Sequence, residues 1–166
     1  PPRSTLFPYT TLFRSRLRKA LVRVRRRGGQ VRLLLAGQSD VRLAQLASQR
    51  LYERFLRAGV ELYEYQPQIL HAKLFLVDDQ VYVGSANLDA RSLQINYELL
   101  VRLSDPRAAG EARDLFEDLL RHSARVEPAR WRQSRTLWNK LRERWAYFIL
   151  ARLDPLVARR QLRYLR

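Results

Sequence analysis

The apolar positions in the first part of the chain follow two spacings. Around residues 16–27 and 41–58 they recur every three or four residues, which is typical of amphipathic helices, and each pattern ends in glycine. The apolar run QVRLLL and the alternating segment VELYEY are typical of strands. The pattern therefore predicts a helix over Arg16–Arg27, a strand over Gln30–Leu35, a helix over Val41–Ala58 that Ser39 or Asp40 caps, and a strand over Val60–Tyr65.

The middle of the chain is patterned differently, as short strands around a tight turn. Strands are predicted over Ala72–Val77 and Gln80–Val83, joined as a hairpin at Asp78-Asp79, and a further strand over Ile95–Leu103 follows a loop. Pro106 then opens a helix that runs to about His122. Because the earlier strand–helix–strand unit favours parallel pairing, we expect an α/β layered fold with a mixed β-sheet flanked by helices.

The C-terminal segment interleaves arginines with aromatic residues. Trp131, Trp138 and Trp145 are seven residues apart, a spacing that keeps them on one face of a continuous helix. Tryptophan and arginine on an amphipathic helix suit a membrane interface, whereas the same tryptophans could instead pack on the α/β core. The sequence leaves both interpretations open, and one helix could serve both purposes.

The first fifteen residues have an origin of their own. The string PPRSTLFPYTTLFRS back-translates codon for codon to a common short-read sequencing adapter, so we expect residues 1–15 to be a non-native scar and the native sequence to start near Arg16, in mid-gene. Residues 16–124 are then predicted to form the domain that carries the chemistry. Residues 125–166 are predicted to form a basic amphipathic helical tail.

Charge is distributed unevenly along a chain whose formal net charge is +16. Residues 16–33 hold eight basic and no acidic residues, and residues 125–166 hold twelve basic against three acidic. Such flanks suit a polyanion, although 29 of the 32 basic residues are arginine and a GC-rich genome would contribute to that excess. The tryptophans favour an anionic membrane surface over nucleic acid as the partner.

The segment from His71 to Asn87 carries the candidate chemistry. His71 and Lys73 are two residues apart and would share a face of a strand, which sets an imidazole beside an ammonium group. Gly84 permits a tight turn, after which Ser85 and Asn87 present a hydroxyl and an amide. A neutral imidazole is a nucleophile or proton carrier, and the other groups are donors that a phosphoryl oxygen requires.

Together with Asp78, these positions resemble the HKD motif of the phospholipase D superfamily, His-x-Lys-x4-Asp followed by Gly-Ser-x-Asn. The flanking segments YEYQPQILHAK and GSANLDARSLQINYE look like those of bacterial cardiolipin synthases. The resemblance implies a phospholipase D-like fold and two facing motifs. One histidine attacks phosphorus to form a phosphohistidine and the other protonates the leaving alcohol, with no metal or other cofactor required.

The resemblance also implies a role for each site residue. His71, as part of the second motif in chain order, would be the general acid and base. Lys73 and Asn87 would hold the phosphoryl oxygens with help from Ser85, and Asp78 would be structural. Glu98, on the following strand, matches an acidic residue that holds a catalytic histidine in its proper tautomer. We count these six residues as the candidate site.

A second motif is missing, because the only other histidine, His122, has no lysine two residues later. We expect the first motif to lie upstream of Arg16, in which case this chain alone is inactive. The alternative is a homodimer, as in some nucleases of the superfamily.

The expected function is therefore synthesis of cardiolipin from phosphatidylglycerol at the bacterial cell membrane, as a peripheral enzyme on the cytoplasmic side. A homodimeric phosphodiesterase or nuclease is the first alternative. A catalytically inactive fragment that binds membranes is the second.

Overall fold

The computed structural model describes residues 15–38, 42–86 and 97–149. Within these ranges the chain forms two three-stranded sheets with helices packed against them, which confirms the predicted α/β class. The helices are α1 (Ser15–Arg26), α2 (Arg42–Arg57), α3 (Pro106–Arg121), α4 (Pro128–Gln133) and α5 (137–149). The strands are β1 (Arg32–Ala36), β2 (Glu61–Tyr65), β3 (Leu74–Val77), β4 (Gln80–Gly84), β5 (Leu100–Leu103) and β6 (Ser123–Arg125).

The first sheet has the order β1–β2–β6 and is mixed. Strands β1 and β2 pair in parallel and are connected by α2, as predicted. Helices α1 and α2 are each followed, two residues after their last residue, by a glycine with positive φ, Gly28 and Gly59 respectively. Strand β6, which the hydrophobic pattern did not predict, pairs antiparallel with β2 and ends at Arg125. The sheet therefore extends one residue into the predicted tail. The predicted cap of α2, Ser39 or Asp40, lies outside the described residues.

The second sheet has the order β3–β4–β5 and is antiparallel throughout. The predicted hairpin is confirmed, since Val77 pairs with Gln80 across Asp78 and Asp79. The predicted starts of β3 and β5 were too early. Residues 72–73 and 97–99 are not in strands, and residues 95–96 lie outside the described part of the chain.

Two hydrophobic clusters hold the described structure together. The larger one contains Phe55 and Leu62, which are almost fully buried, between α1, α2 and the first sheet. The smaller one joins Val81 of the second sheet to Ala109 and Ala112 of α3. Helix α3 contacts strands of both sheets and so ties them together. Its start is fixed by Asp105, whose side chain accepts a hydrogen bond from the backbone N–H of Ala108.

The three tryptophans do not share one face of one helix, because the helix is interrupted between α4 and α5. The hydroxyl of Thr136 accepts a hydrogen bond from the backbone N–H of Asn139 at 3.1 Å, which caps a new helix. The break separates Trp131, in α4, from Trp138 and Trp145, in α5. Thr136 thus starts a new helix, so the seven-residue spacing does not place the three tryptophans on one face.

Candidate active site

The hairpin β3–β4 places the start of the motif at the end of the sheet that carries Gly84 and Ser85. Leu74, the first residue of β3, pairs with Val83 of β4. The preceding residues Lys73 and His71 therefore lie at the end of the sheet where β4 reaches Gly84 and Ser85. Glu98 was expected on the following strand but precedes β5, and it lies at this same end because Leu100, the first residue of β5, pairs with Gly84. Antiparallel register therefore gathers residues that lie far apart in the sequence.

His71 and Lys73 are in direct contact, although the reason differs from the predicted one. Both precede β3 and lie in an irregular segment, so strand alternation does not align them. Instead, the side chain of Lys73 folds back: its Nζ donates to the backbone carbonyl of His71 at 2.9 Å and lies 2.7 Å from His71 Nε2. A local hydrogen bond thus positions the ammonium beside the imidazole.

This contact assigns a role to one ring nitrogen. A lysine ammonium has three donors and no acceptor, so the contact is a hydrogen bond only when His71 Nε2 is the acceptor. The Nε2 lone pair can remove a proton or attack an electrophile once the Lys73 ammonium turns away from it. The same ammonium can turn to an anionic oxygen without leaving the site.

Ser85 is held by Glu98 and Leu99, the two residues that directly precede β5. Its hydroxyl donates to Glu98 Oε2 in a short hydrogen bond and accepts from the backbone N–H of Leu99 at 3.1 Å. Its backbone N–H donates to the Leu99 carbonyl at 3.0 Å. Gly84 is required beside it, because a Cβ at this position would lie 2.0 Å from the Leu99 oxygen.

The comparisons with known proteins show the family of this chain. Residues 4–120 match the family described as "Cardiolipin synthase, PLD-like domain". The chain belongs to this family. The matched span begins within the segment that we predict to be adapter-derived, and that prediction stays untested.

Curated relatives of the PLD-like chain include two cardiolipin synthases. Cardiolipin synthase A of Yersinia pseudotuberculosis is 32% identical over 130 residues, which are 78% of this chain and 26% of that protein. Cardiolipin synthase 1 of Bacillus anthracis is 34% identical over 118 residues, 70% of this chain and 21% of that protein. The PLD-like chain therefore spans about a quarter of the length of these relatives.

A solved structure shares the fold. It is the crystal structure of a phospholipase D family member, Nuc from Salmonella typhimurium, with a TM-score of 0.59 and 22% identity. The alignment covers 70% of the PLD-like chain and 76% of that chain. The predicted phospholipase D-like fold is confirmed.

Asp78 lies away from the other described site residues. It is at the hairpin turn with a φ of 52°, a left-handed conformation that aspartate tolerates. Five residue steps along β3 separate it from Lys73 by roughly 16 Å. Arg113 of α3 secures the turn by donating to the carbonyl of Asp78 and to the carboxylate of Asp79. This position accords with a structural role for Asp78.

Two of the residues discussed at the sequence level contribute nothing to the described geometry of the site. Asn87 lies outside the described residues, so its role in holding phosphate stays a prediction. His122 caps the C-terminus of α3, and its Nδ1 lies 2.9 Å from the carbonyl oxygen of Asp118. Within residues 15–38, 42–86 and 97–149, no cluster of three His, Cys, Asp or Glu side chains is placed to hold a metal ion.

Two contributors to the site were missed at the sequence level. The backbone of Leu99 orients Ser85, and Arg113 anchors the turn of the motif. A backbone group has no sequence signal, because every residue except proline carries the same N–H. Arg113 is one of 29 arginines, so nothing in the sequence singles it out.

Proposed function

We propose that the complete protein transfers a phosphatidyl group from one phosphatidylglycerol to a second, which yields cardiolipin and releases glycerol. The observation that carries this proposal is the contact of Lys73 Nζ with His71 Nε2 at the end of the sheet where Ser85 also lies. Membership in the cardiolipin synthase family supports the choice of substrate.

In this proposal the transfer has two displacements at phosphorus. The histidine of the other motif attacks, a P–N bond forms, and the P–O bond to glycerol breaks while His71 gives its Nε2 proton to the leaving oxygen. His71 Nε2 then takes the proton of a hydroxyl on the second phosphatidylglycerol. That oxygen attacks, the P–N bond breaks, and cardiolipin leaves.

The neighbouring residues have assigned parts in this scheme. Lys73 exchanges its contact with His71 for the phosphoryl oxygens, where an ammonium offsets the charge that develops. Asn87 is proposed as a second donor to these oxygens. Glu98 accepts the only hydroxyl proton of Ser85, so Ser85 is proposed to exchange this contact for a phosphoryl oxygen when the substrate binds. Glu98 is also proposed to fix the histidine tautomer.

The site requires a second histidine. We propose that it comes from another part of the complete protein or from a second copy of this chain, and that one copy alone is inactive. The enzyme is proposed to act peripherally at the cytoplasmic side of the bacterial membrane. Over the described ranges, no helix has the length and apolarity needed to cross a bilayer.

The test is a comparison of two histidine variants of the complete enzyme. His71→Ala should reduce the formation of cardiolipin and glycerol from phosphatidylglycerol by about a thousandfold, as expected when a general acid and base is lost. His122→Ala is the control, because this side chain caps a helix. Unreduced transfer by the His71 variant would overturn the assignment. An active homodimer of this chain that cleaves oligonucleotides would favour the nuclease alternative.

A further inference from the structure

The structure separates the three tryptophans into two environments. Trp131, in α4, is partly buried against the larger core, and its ring centroid lies 4.9 Å from that of Tyr52. Trp138 and Trp145, in α5, are each 66% exposed. One tryptophan therefore serves packing, and the other two need a different explanation.

Helix α5 is attached to the domain through one face. Ala146 and Glu143 on this face are 1% and 5% exposed, and the carboxylate of Glu143 forms a close ion pair with Arg135. The Arg135 guanidinium also lies over the ring of Trp131, 3.7 Å from its centroid. These contacts hold one face of α5 against the protein, so the opposite face points away from it.

The opposite face of α5 is apolar and exposed. Leu137, Trp138, Leu141 and Trp145 have exposed fractions of 85%, 66%, 55% and 66%. At 100° per residue these four side chains fall within an arc of about 100°. A contiguous stripe of this kind, on a helix held from behind, is a surface built to meet another apolar phase.

Basic residues border this stripe on both sides. Arg142 lies about 40° beyond Trp138 and Arg144 about 20° beyond Leu137 around the helix, and both are exposed.

A second basic surface lies near α5, since Arg50 of α2 interacts electrostatically with Glu143. That surface is a groove of about 620 Å³ between α1 and α2. Its lining includes Lys19, Arg23, Arg26, Arg50, Arg54 and Arg57, with Glu53 as the one acidic residue.

We propose that α5 lies in the interfacial layer of an anionic membrane, with Trp138 and Trp145 inserted between lipids and with Arg142 and Arg144 on the headgroups. Tryptophan rings suit this layer, and each arginine gains from anionic lipid. A second copy of the chain is a poorer occupant of the stripe. It would bring the basic borders of two helices together, and like charges repel. The identification of the partner as lipid rests on the proposed function.

The experiment measures binding of the 166-residue chain to vesicles by co-sedimentation. One set of vesicles contains phosphatidylglycerol in phosphatidylcholine and the other contains phosphatidylcholine alone. Trp138→Ala/Trp145→Ala should weaken binding to the anionic vesicles by about tenfold or more. Its control is Leu115→Ala, which removes an exposed apolar side chain from α3.

A second pair of variants tests the basic borders. Arg142→Gln/Arg144→Gln should weaken anionic binding by about tenfold, whereas Arg107→Gln/Arg121→Gln, which removes two exposed arginines of α3, should have a much smaller effect. Brominated lipids should quench the tryptophan fluorescence of the bound chain, and this quenching should largely disappear in the double tryptophan variant.

Three results would overturn the proposal. The double tryptophan variant could keep its vesicle affinity, the Leu115 control could lose as much affinity, or sedimentation could show that the stripe joins two copies of the chain. Failure of the proposed function is distinguishable, because vesicle binding is measured without transfer. His71→Ala should bind vesicles as tightly as the unchanged chain while lacking transfer in the complete enzyme.

Discussion

The ammonium nitrogen of Lys73 lies 2.7 Å from Nε2 of His71, and the same lysine donates to the backbone carbonyl of that histidine. The two residues are separated by a single alanine, so a local conformation is sufficient to create the pair. The β3–β4 hairpin then brings this pair to the end of the sheet where Ser85 lies.

The first prediction concerns the tautomer of His71. With Lys73 donating to Nε2, the neutral ring should carry its proton on Nδ1. Lys73→Ala should shift the population towards the Nε2–H form, which nitrogen chemical shifts measured by NMR distinguish. His122 is the internal reference, because its Nδ1 lies against the Asp118 carbonyl and should stay protonated. A His71 spectrum that Lys73→Ala leaves unchanged would contradict the contact.

The second prediction concerns Gly84. Gly84→Ala should lower the free energy of unfolding by about 2 kcal/mol or more, because the added carbon would collide with a backbone oxygen that cannot move alone. Gly110→Ala is the matched control. It lies in α3 with open space around it, and alanine there should raise stability by up to about 1 kcal/mol. Chemical denaturation of both variants checks the prediction, and equal effects would refute it.

The third prediction concerns the ion pair of Arg135 with Glu143. Both side chains are largely buried, so Arg135→Met should cost about 3 kcal/mol or more at pH 7 by leaving a buried carboxylate unpaired. Arg135→Met/Glu143→Leu should recover most of this loss, apart from the contact of Arg135 with Trp131. Arg121→Met, which breaks an exposed pair, should cost about 1 kcal/mol or less. Chemical denaturation measures all three, and a double variant no more stable than Arg135→Met would contradict the coupling.

The fourth prediction concerns the pH dependence of stability at Glu64. Burial raises the pKa of Glu64, while the hydrogen bond from Tyr52 and the charge of Arg135 partly offset this increase. The folded protein therefore holds the proton more tightly than the unfolded chain does. The contribution of Glu64 to stability is fully present below its ordinary pKa and is lost as the pH rises through the raised one.

Glu64→Gln removes this dependence and keeps an acceptor for the Tyr52 hydroxyl. The variant should be more stable than the unchanged chain at pH 7 to 8, and the difference should shrink as the pH falls below about 4.5. Glu111→Gln, on the exposed face of α3, is the control and should show little change. Denaturation across the pH range measures the difference. A Gln variant that is less stable at pH 7 would contradict the prediction.

Much of the second sheet could be predicted from the sequence, because its signals are local. Two adjacent aspartates between apolar segments indicated the hairpin, and Pro106 indicated the start of α3. Strand β6 gave no such signal. Its three residues, Ser123–Arg125, have no apolar pattern of their own and become a strand through pairing with β2.

The α/β class, the parallel β1–β2 unit and the segment that carries His71 and Lys73 could all be predicted from the sequence. These features depend on the spacing and type of residues, which can be read directly from the chain. The contacts of Glu98 and Leu99 with Ser85 could not be predicted in this way, because they depend on the register between β4 and β5. The tertiary structure also determined which tryptophans are partly buried and which are exposed. The cap at Thr136 and the buried contacts of Glu143 set the direction of α5, and no periodicity in the sequence contains that information.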